Sequence, residues 1–170
     1  MKNDLSFEIY QEVNCFETTI RALGGLLSAY HLARGDDEGD QSSSSAVLLE
    51  KATDLGGRLV HCFDSPSRTV PFSDVNLKTR APKAPRWSTD SSLSEVASMQ
   101  LEMRDLSRET GTKLFEEKSF ATTRHIHELV QSRADPLLPM YISPITGEEG
   151  NNVLCLHSKT HIMFSFLQVS

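Results

Sequence analysis

The sequence predicts an all-α fold, an α/α repeat or toroid of about four helices with a short extended hairpin-like segment. Three observations predict it. Apolar residues recur at helical spacing in four stretches, every proline falls outside those stretches, and the helices are joined alternately by a tight turn and by long loops. No signature repeats at a fixed period, which argues against a tetratricopeptide-type solenoid.

The first helix covers about Asn14 to Leu32, with Phe16, Ile20, Leu23, Leu27 and Tyr30 on one face and Leu26 widening it into a buried arc. Gly24 and Gly25 interrupt it at a cost of roughly 2 kcal/mol against alanine. The expected gain is close approach of a neighbouring helix. Residues 34–45, acidic and serine-rich, form a surface loop inserted before the second helix, about Ala46 to Val60, which turns Leu48, Leu49, Ala52, Leu55 and Leu59 inward. Pro66, Pro71, Pro82 and Pro85 then exclude helix. A connection of that length is functional or ordered by its own packing, with Trp87 as the anchor. The third helix starts among Asp90 to Ser92, all good N-caps, and ends at the C-cap Gly111; the fourth, Thr112 to about Val130, returns antiparallel to it. Pro136 to Gly147 reads as an extended segment with a proline-containing turn. Residues 151–170 show no sustained period and form a tail without assigned structure.

At 170 residues the chain has the length of one domain, and 38% hydrophobic with 24% charged residues suits a soluble globular class. Its net charge of −6, with lysines and arginines scattered singly, offers no stripe to track phosphates and excludes nucleic acid and anionic membrane as partners. No apolar run reaches the ~18–20 residues of a membrane span. The first residues, MKNDLSFEIY, lack a signal-peptide core, so these residues alone default to the cytosol. Cys15, Cys62 and Cys155 match no zinc motif and are expected to be free, buried thiols.

Chemistry is concentrated in two helices. Glu17, Arg21, Gly24 and Ser28 fall at i, i+4, i+7 and i+11, one stripe beside the apolar arc and short of bulk beyond its first turn. A surface ion pair, with glycines admitting a neighbour, reads these residues equally well. On the third helix Glu95 and Glu102 stand at the edge of the arc made by Val96, Met99, Met103 and Leu106, where carboxylates are unusual unless paired or liganded. Here too a plainer reading stays open: Ser92-x-x-Glu95 matches a capping box, and Glu102 would pair with a nearby arginine in solvent. His125 and His127, at i,i+2, cannot share a metal. Cys155, His157 and His161 chelate only if the tail is helical, Gly35 to Asp40 lacks the closing glutamate of a calcium loop, and Asp64 and Asp74 read as turn caps.

Five blocks in sequence order carry a resemblance: VNCFETTIRALGGLLSAYHLA, LLEKATDLGGRLVHCFDSPS, PFSDVNLKT, APRWSTDSSLSEVASMQLEMRDLSRETG and PLLPMYISPITG. Together they resemble the class I α-1,2-mannosidases, glycoside hydrolase family 47, and the APRWSTDSS block is more similar to the endoplasmic-reticulum enzymes than to the Golgi ones. The resemblance implies a partial (α/α)7 barrel over residues 1–150 and release of terminal α-1,2-linked mannose from high-mannose N-glycans, with inversion and with bound calcium. It implies that Glu17 is the general acid, Arg21 a mannose-subsite residue, and Glu95 and Glu102 contributors to the sugar site or its support. The family's candidate base and its calcium-ligating threonine belong to segments not matched here, so no metal ligand is expected in this chain and the chain alone is expected to be inactive. The parent enzyme would reside in the endoplasmic reticulum or Golgi, its substrate a high-mannose glycoprotein. A noncatalytic glycan-binding or quality-control module is the alternative, because it would keep the same four residues.

Overall fold

A computed structural model describes residues 5–34, 43–84, 88–132, 138–150 and 154–155. Most of the acidic serine-rich loop, Trp87, His157 and His161 lie outside the described residues.

The first helical stretch is continuous but not uniform. Helix α1 (Cys15–Thr18) passes through a π-helical turn, Thr19–Leu23, into α2 (Gly24–Arg34). Asn14 caps α1, its side chain accepting the Glu17 backbone N–H at 2.8 Å. The wider π turn inserts extra backbone into the 3.6-residue period. Thr19 is therefore fully buried at 0% exposure, whereas Ile20, expected on the inward face, is 37% exposed.

Helix α3 (Ser43–Leu59) ends in a 3-10 turn, Val60–Phe63, and buries Ala52, Leu55 and Leu59 against α2 and α5 (Gln100–Thr110). The glycine that close packing requires lies here. A Cβ on Gly56 would stand 2.2 Å from Leu106 Cδ2, whereas one on Gly24 meets its nearest atoms at 3.5 Å and one on Gly25 meets nothing within 4 Å. Close approach at Gly24 and Gly25 is thus corrected: the neighbouring helix leaves room for a methyl at both. Because Leu106 is fully buried, its methyl cannot swing into solvent. Gly56→Ala is expected to lower stability by about 1–3 kcal/mol through overpacking. Exposed Gly25→Ala is expected to raise it by about 0.5–1 kcal/mol through helix propensity. Urea unfolding of the two variants checks both signs.

The proline-rich connection is ordered by its own packing. Strands β1 (Glu12–Asn14), β2 (Asp74–Asn76) and β3 (Pro82–Lys83) form an antiparallel sheet in that order, with Asn14 opposite Asp74. Of the connection's apolar residues, Val75 and Leu77 are buried in the core with α3, and Val70 in the core with α6 (Leu114–Ser132).

The third stretch is two helices. After β4 (Ser91–Ser92), α4 (Leu93–Ser98) breaks at Met99 before α5, which ends on left-handed Gly111 at φ 70°. Gly111 is the predicted C-cap. α6 (Leu114–Ser132) folds back against α5. Downstream, β5 (Leu138–Pro139) pairs with β7 (Leu154–Cys155), and β6 (Tyr141–Ile142) pairs antiparallel with β4. His125 Nε2 donates to the Gly147 carbonyl oxygen at 2.6 Å, which pins the turn after β6 to α6. Two cores result: Leu23, Leu27, Leu55, Leu59, Met103 and Leu106 between α2, α3 and α5, and Val70, Leu93, Val96, Ile126 and Ile142 around α4 and α6.

Cys15 and Cys62 are not free thiols. They form a disulfide with Cα atoms 6.6 Å apart, joining the first residue of α1 to the 3-10 turn after α3. Both chain segments are already held together there, since Cys15 N–H donates to Ser73 O at 2.7 Å and Phe72 N–H to Cys62 O at 2.9 Å. Sequence separation of 47 residues hides this proximity. Bonds of this kind persist in oxidising compartments and are rare in the cytosol, so the bond argues against the cytosolic default. No helix of the described residues is long and apolar enough to cross a membrane.

Candidate functional site

Two helix N-termini meet at the site. β1 pairs with β2, β2 leads back toward β4, and a buried polar seam ties the three. Ser73 Oγ donates to Ser91 Oγ at 3.4 Å, and Ser91 Oγ donates to the Pro71 carbonyl at 2.7 Å. This seam sets the start of α4 beside the start of α1, so Glu95 and Glu17 come within electrostatic reach of each other.

Glu17 is half exposed and takes a hydrogen bond from Arg21 Nε, the i,i+4 pair anticipated from spacing. Glu95 is partly buried and holds its proton more tightly than an ordinary glutamate. Burial is the main cause; repulsion from Glu17 and Asp74 adds to it, and the Asn14 side chain, as a hydrogen-bond partner, opposes it. The capping box does not form. Ser92 makes no side-chain cap and instead pairs its hydroxyl with Ser94 at 3.0 Å.

Glu102 sits elsewhere along the same helix pair. It lines a groove of about 210 Å³ between α2 and α5 with Gly24, Ser28, His31, Leu101 and Asp105, and none of Glu17, Arg21 and Glu95 lines it. No arginine partner takes its buried oxygen: Glu102 Oε2 has no hydrogen bond. Burial and the nearby Asp105 raise its proton affinity, against a bond from its own backbone. Gly24 lies against the Glu102 side chain, 3.5 Å from Cγ to a Cβ built on it. The glycine stripe therefore opens a groove rather than a helix contact.

Sequence reasoning passed over Asn14, which carried a signal as an N-cap residue immediately before an apolar-periodic run. Asp74, read as a turn cap, instead lies in β2, where strand pairing sets it opposite Asn14.

The model of glycosyl hydrolase family 47 matches residues 1–167. The chain belongs to this family. Human endoplasmic reticulum mannosyl-oligosaccharide 1,2-alpha-mannosidase is 48% identical over 143 residues, 84% of this chain and 19% of the relative. The rat enzyme of the same name is 45% identical over 147 residues, 86% of this chain and 20% of the relative. This family 47 chain thus spans about a fifth of the length of those relatives. A solved structure, the alpha-1,2-mannosidase from Trichoderma reesei, superposes with a TM-score of 0.71 at 26% identity, covering 88% of this chain and 32% of that one. The four helical stretches accordingly form part of an α/α barrel.

Whether the family 47 residues described here fit calcium is decided by donor chemistry. Calcium takes about six to eight oxygen ligands. Among the described residues a single cluster of potential ligands gathers, His31, Asp105 and Glu109. It offers an imidazole nitrogen; His31 Nε2 is bonded to Asp105 at 2.9 Å, and Glu109 accepts from Arg34 at 2.7 Å and Tyr30 at 3.0 Å. These residues by themselves do not make a calcium site.

Raised proton affinity has a stability consequence with a definite sign. The folded state binds the Glu95 proton more tightly than the unfolded chain, whose value is near 4.5. Stability is therefore greatest below that value and declines as pH rises through the folded one. Glu95→Gln is expected to equal the parent near pH 4 and to exceed it at pH 7, a difference read from urea midpoints across that range. The variant losing stability at pH 7 would mean that Glu95 is stabilised as a carboxylate instead.

Proposed function

We propose that the chain supplies the acidic side of a carbohydrate site that releases terminal α-1,2-linked mannose from high-mannose N-glycans with inversion of configuration. The observation that carries this reading is the meeting of Glu17 and Glu95 at the starts of two helices, with a guanidinium attached to the first. Inversion needs one carboxyl to protonate the leaving oxygen and another to activate water. Glu17 is assigned the acid, as the acidic residue of the FETTIR segment, with Arg21 oriented by it toward sugar hydroxyls. Glu95 and Glu102, both pushed toward holding a proton, are assigned to hydrogen-bonding and supporting the sugar.

Calcium belongs to this reading through the family alone; when bound it would hold sugar hydroxyls, its protein ligand lying outside this chain. Relatives named for the endoplasmic reticulum and a disulfide between core cysteines both support the secretory pathway, endoplasmic reticulum or Golgi, for the parent enzyme.

A noncatalytic glycan-binding or quality-control module is the second reading. It uses the same four residues, Glu17, Arg21, Glu95 and Glu102, to hold the glycan without cleaving it. Purified chain, supplied with calcium and a high-mannose oligosaccharide, separates the two when mannose release and binding are measured independently. Release supports hydrolysis; binding without release supports the module; neither would overturn both.

A further inference from the structure

On α5, Glu102, Asp105 and Glu109 fall at i, i+3 and i+7 and form one acidic stripe along the α2 side of the helix. From α2, His31 Nε2 donates to Asp105 Oδ2 at 2.9 Å. One ligand atom from each of His31, Asp105 and Glu109 lies within 4.8 Å of the other two. Leu27, Met103 and Leu106, packed in one core, hold the two helices that carry them in register. Glu109 is oriented by its own partners, its Oε2 accepting from Arg34 at 2.7 Å and from the hydroxyl of buried Tyr30 at 3.0 Å. Outer hydrogen bonds of this kind fix the ligands of metal sites. A second observation points to a cation independently. Glu102 lines the groove between α2 and α5 together with His31 and Asp105, and its Oε2 is buried with no hydrogen bond. Leaving such an oxygen uncompensated is costly, and a positive occupant of the groove offsets the cost. The arginines of these helices are placed elsewhere: Arg34 pairs with Glu109, and Arg104 and Arg108 line the next groove with Glu116.

We propose that His31, Asp105 and Glu109 bind a divalent transition-metal ion of the zinc class in the α2–α5 groove, at a site separate from Glu17, Arg21 and Glu95. The donor set selects the ion. Calcium and magnesium take oxygen ligands, whereas an imidazole nitrogen with two carboxylates suits zinc and its neighbours. Zinc bonds of ~2.0–2.2 Å at tetrahedral angles place ligand atoms ~3.3–3.5 Å apart. The His31–Asp105 contact of 2.9 Å therefore opens by only about half an ångström, while Glu109 closes from no more than 4.8 Å. Side chains as exposed as His31 and Asp105, at 43% and 34%, are free to make such movements. On binding, the imidazole carries its proton at Nδ1 and turns a bare Nε2 to the ion. Three protein ligands leave a fourth position for water. Glu102 stays outside the ligand set and adds its charge to the attraction of the groove for the ion. The inference goes beyond the carbohydrate reading and requires no sugar.

Zinc alone, titrated calorimetrically into the full chain, is expected to bind one to one and to raise the urea midpoint as its concentration increases. His31→Gln and Asp105→Asn are each expected to weaken that binding by about 100-fold or more, since outer partners of a ligand already contribute ~10–100-fold. His61→Gln removes an imidazole that is instead paired with Asp64 at 2.7 Å, and is expected to leave zinc affinity unchanged. A readout in the unaltered chain accompanies the variants and does not depend on their folding. On adding zinc, the ring signals of His31 in a nitrogen-15 spectrum are expected to shift, while those of the other histidines stay. The absence of saturable zinc binding by the parent chain overturns the proposal. Binding that survives both His31→Gln and Asp105→Asn does the same and identifies an adventitious ion only, as do shifts at other histidines in place of His31. Neither mannose release nor glycan binding enters these measurements, so their failure leaves the carbohydrate reading where it was.

Discussion

Reducing the Cys15–Cys62 bond, or replacing Cys62 with alanine, is expected to remove about 4 kcal/mol of unfolding free energy. The estimate follows from closing a loop of 47 residues in the unfolded chain, which lies between the ~3 kcal/mol of a short loop and the ~4.7 kcal/mol of a long one. A loss of that size is a large share of a typical domain's stability. The bond also sits at the foot of α1, beside the cap that holds Glu17. Its loss should therefore loosen the site before the far ends of α5 and α6 feel it. Amide exchange under reducing and oxidising conditions distinguishes the two regions, with the Glu17 N–H expected among the first to lose protection. Equal urea midpoints with and without reductant would show that the bond contributes nothing.

In the parent enzyme, under the proposed hydrolysis, Glu17→Gln is expected to lower the rate of mannose release by about 10²–10⁴-fold, the usual contribution of a positioned proton donor. The same substitution is expected to change stability by less than about 1 kcal/mol, because the pair it breaks with Arg21 is solvent-exposed, at 47% and 76% of the two side chains. The separation of these two effects is what makes the variant informative. A large kinetic loss with an unchanged urea midpoint places Glu17 in the chemistry; comparable losses in both would make it structural, and an unchanged rate would remove it from the acid role.

Much of this was legible because periodicity reports burial. Leu23, Leu27, Leu55, Leu59, Met103 and Leu106 were on the predicted inward faces or their edges and form one core. Gly111 declared itself as a C-cap because few other residues adopt a left-handed φ. Contacts that cross between segments were illegible for the converse reason. The π turn leaves no trace in a pattern assumed to repeat every 3.6 residues, so Ile20 was turned the wrong way. Cysteine spacing of 47 residues matches no motif, and the two cysteines meet only after β1–β2 pairing brings residue 73 to residue 15. The local rule that read a capping box at Ser92 and Glu95 failed because the Ser92 hydroxyl turns to Ser94 instead of the helix N-terminus. Among candidate site residues, Glu17 and Arg21 were readable as a pair because four residues is one turn. The separation of Glu102 from Glu95 was not, since a heptad on a continuous helix would align them and the break at Met99 does not.

The pairing of β4 with β6 has a wider consequence. It brings residues 91–92 beside residues 141–142, so the chain leaves and rejoins the rest of the molecule at one place. The hairpin is thereby clamped at its base, while its helices stay part of the shared core through Met103, Leu106 and Phe115. Its tip at Gly111 is accordingly where the chain can lengthen without disturbing Leu55 and Leu59.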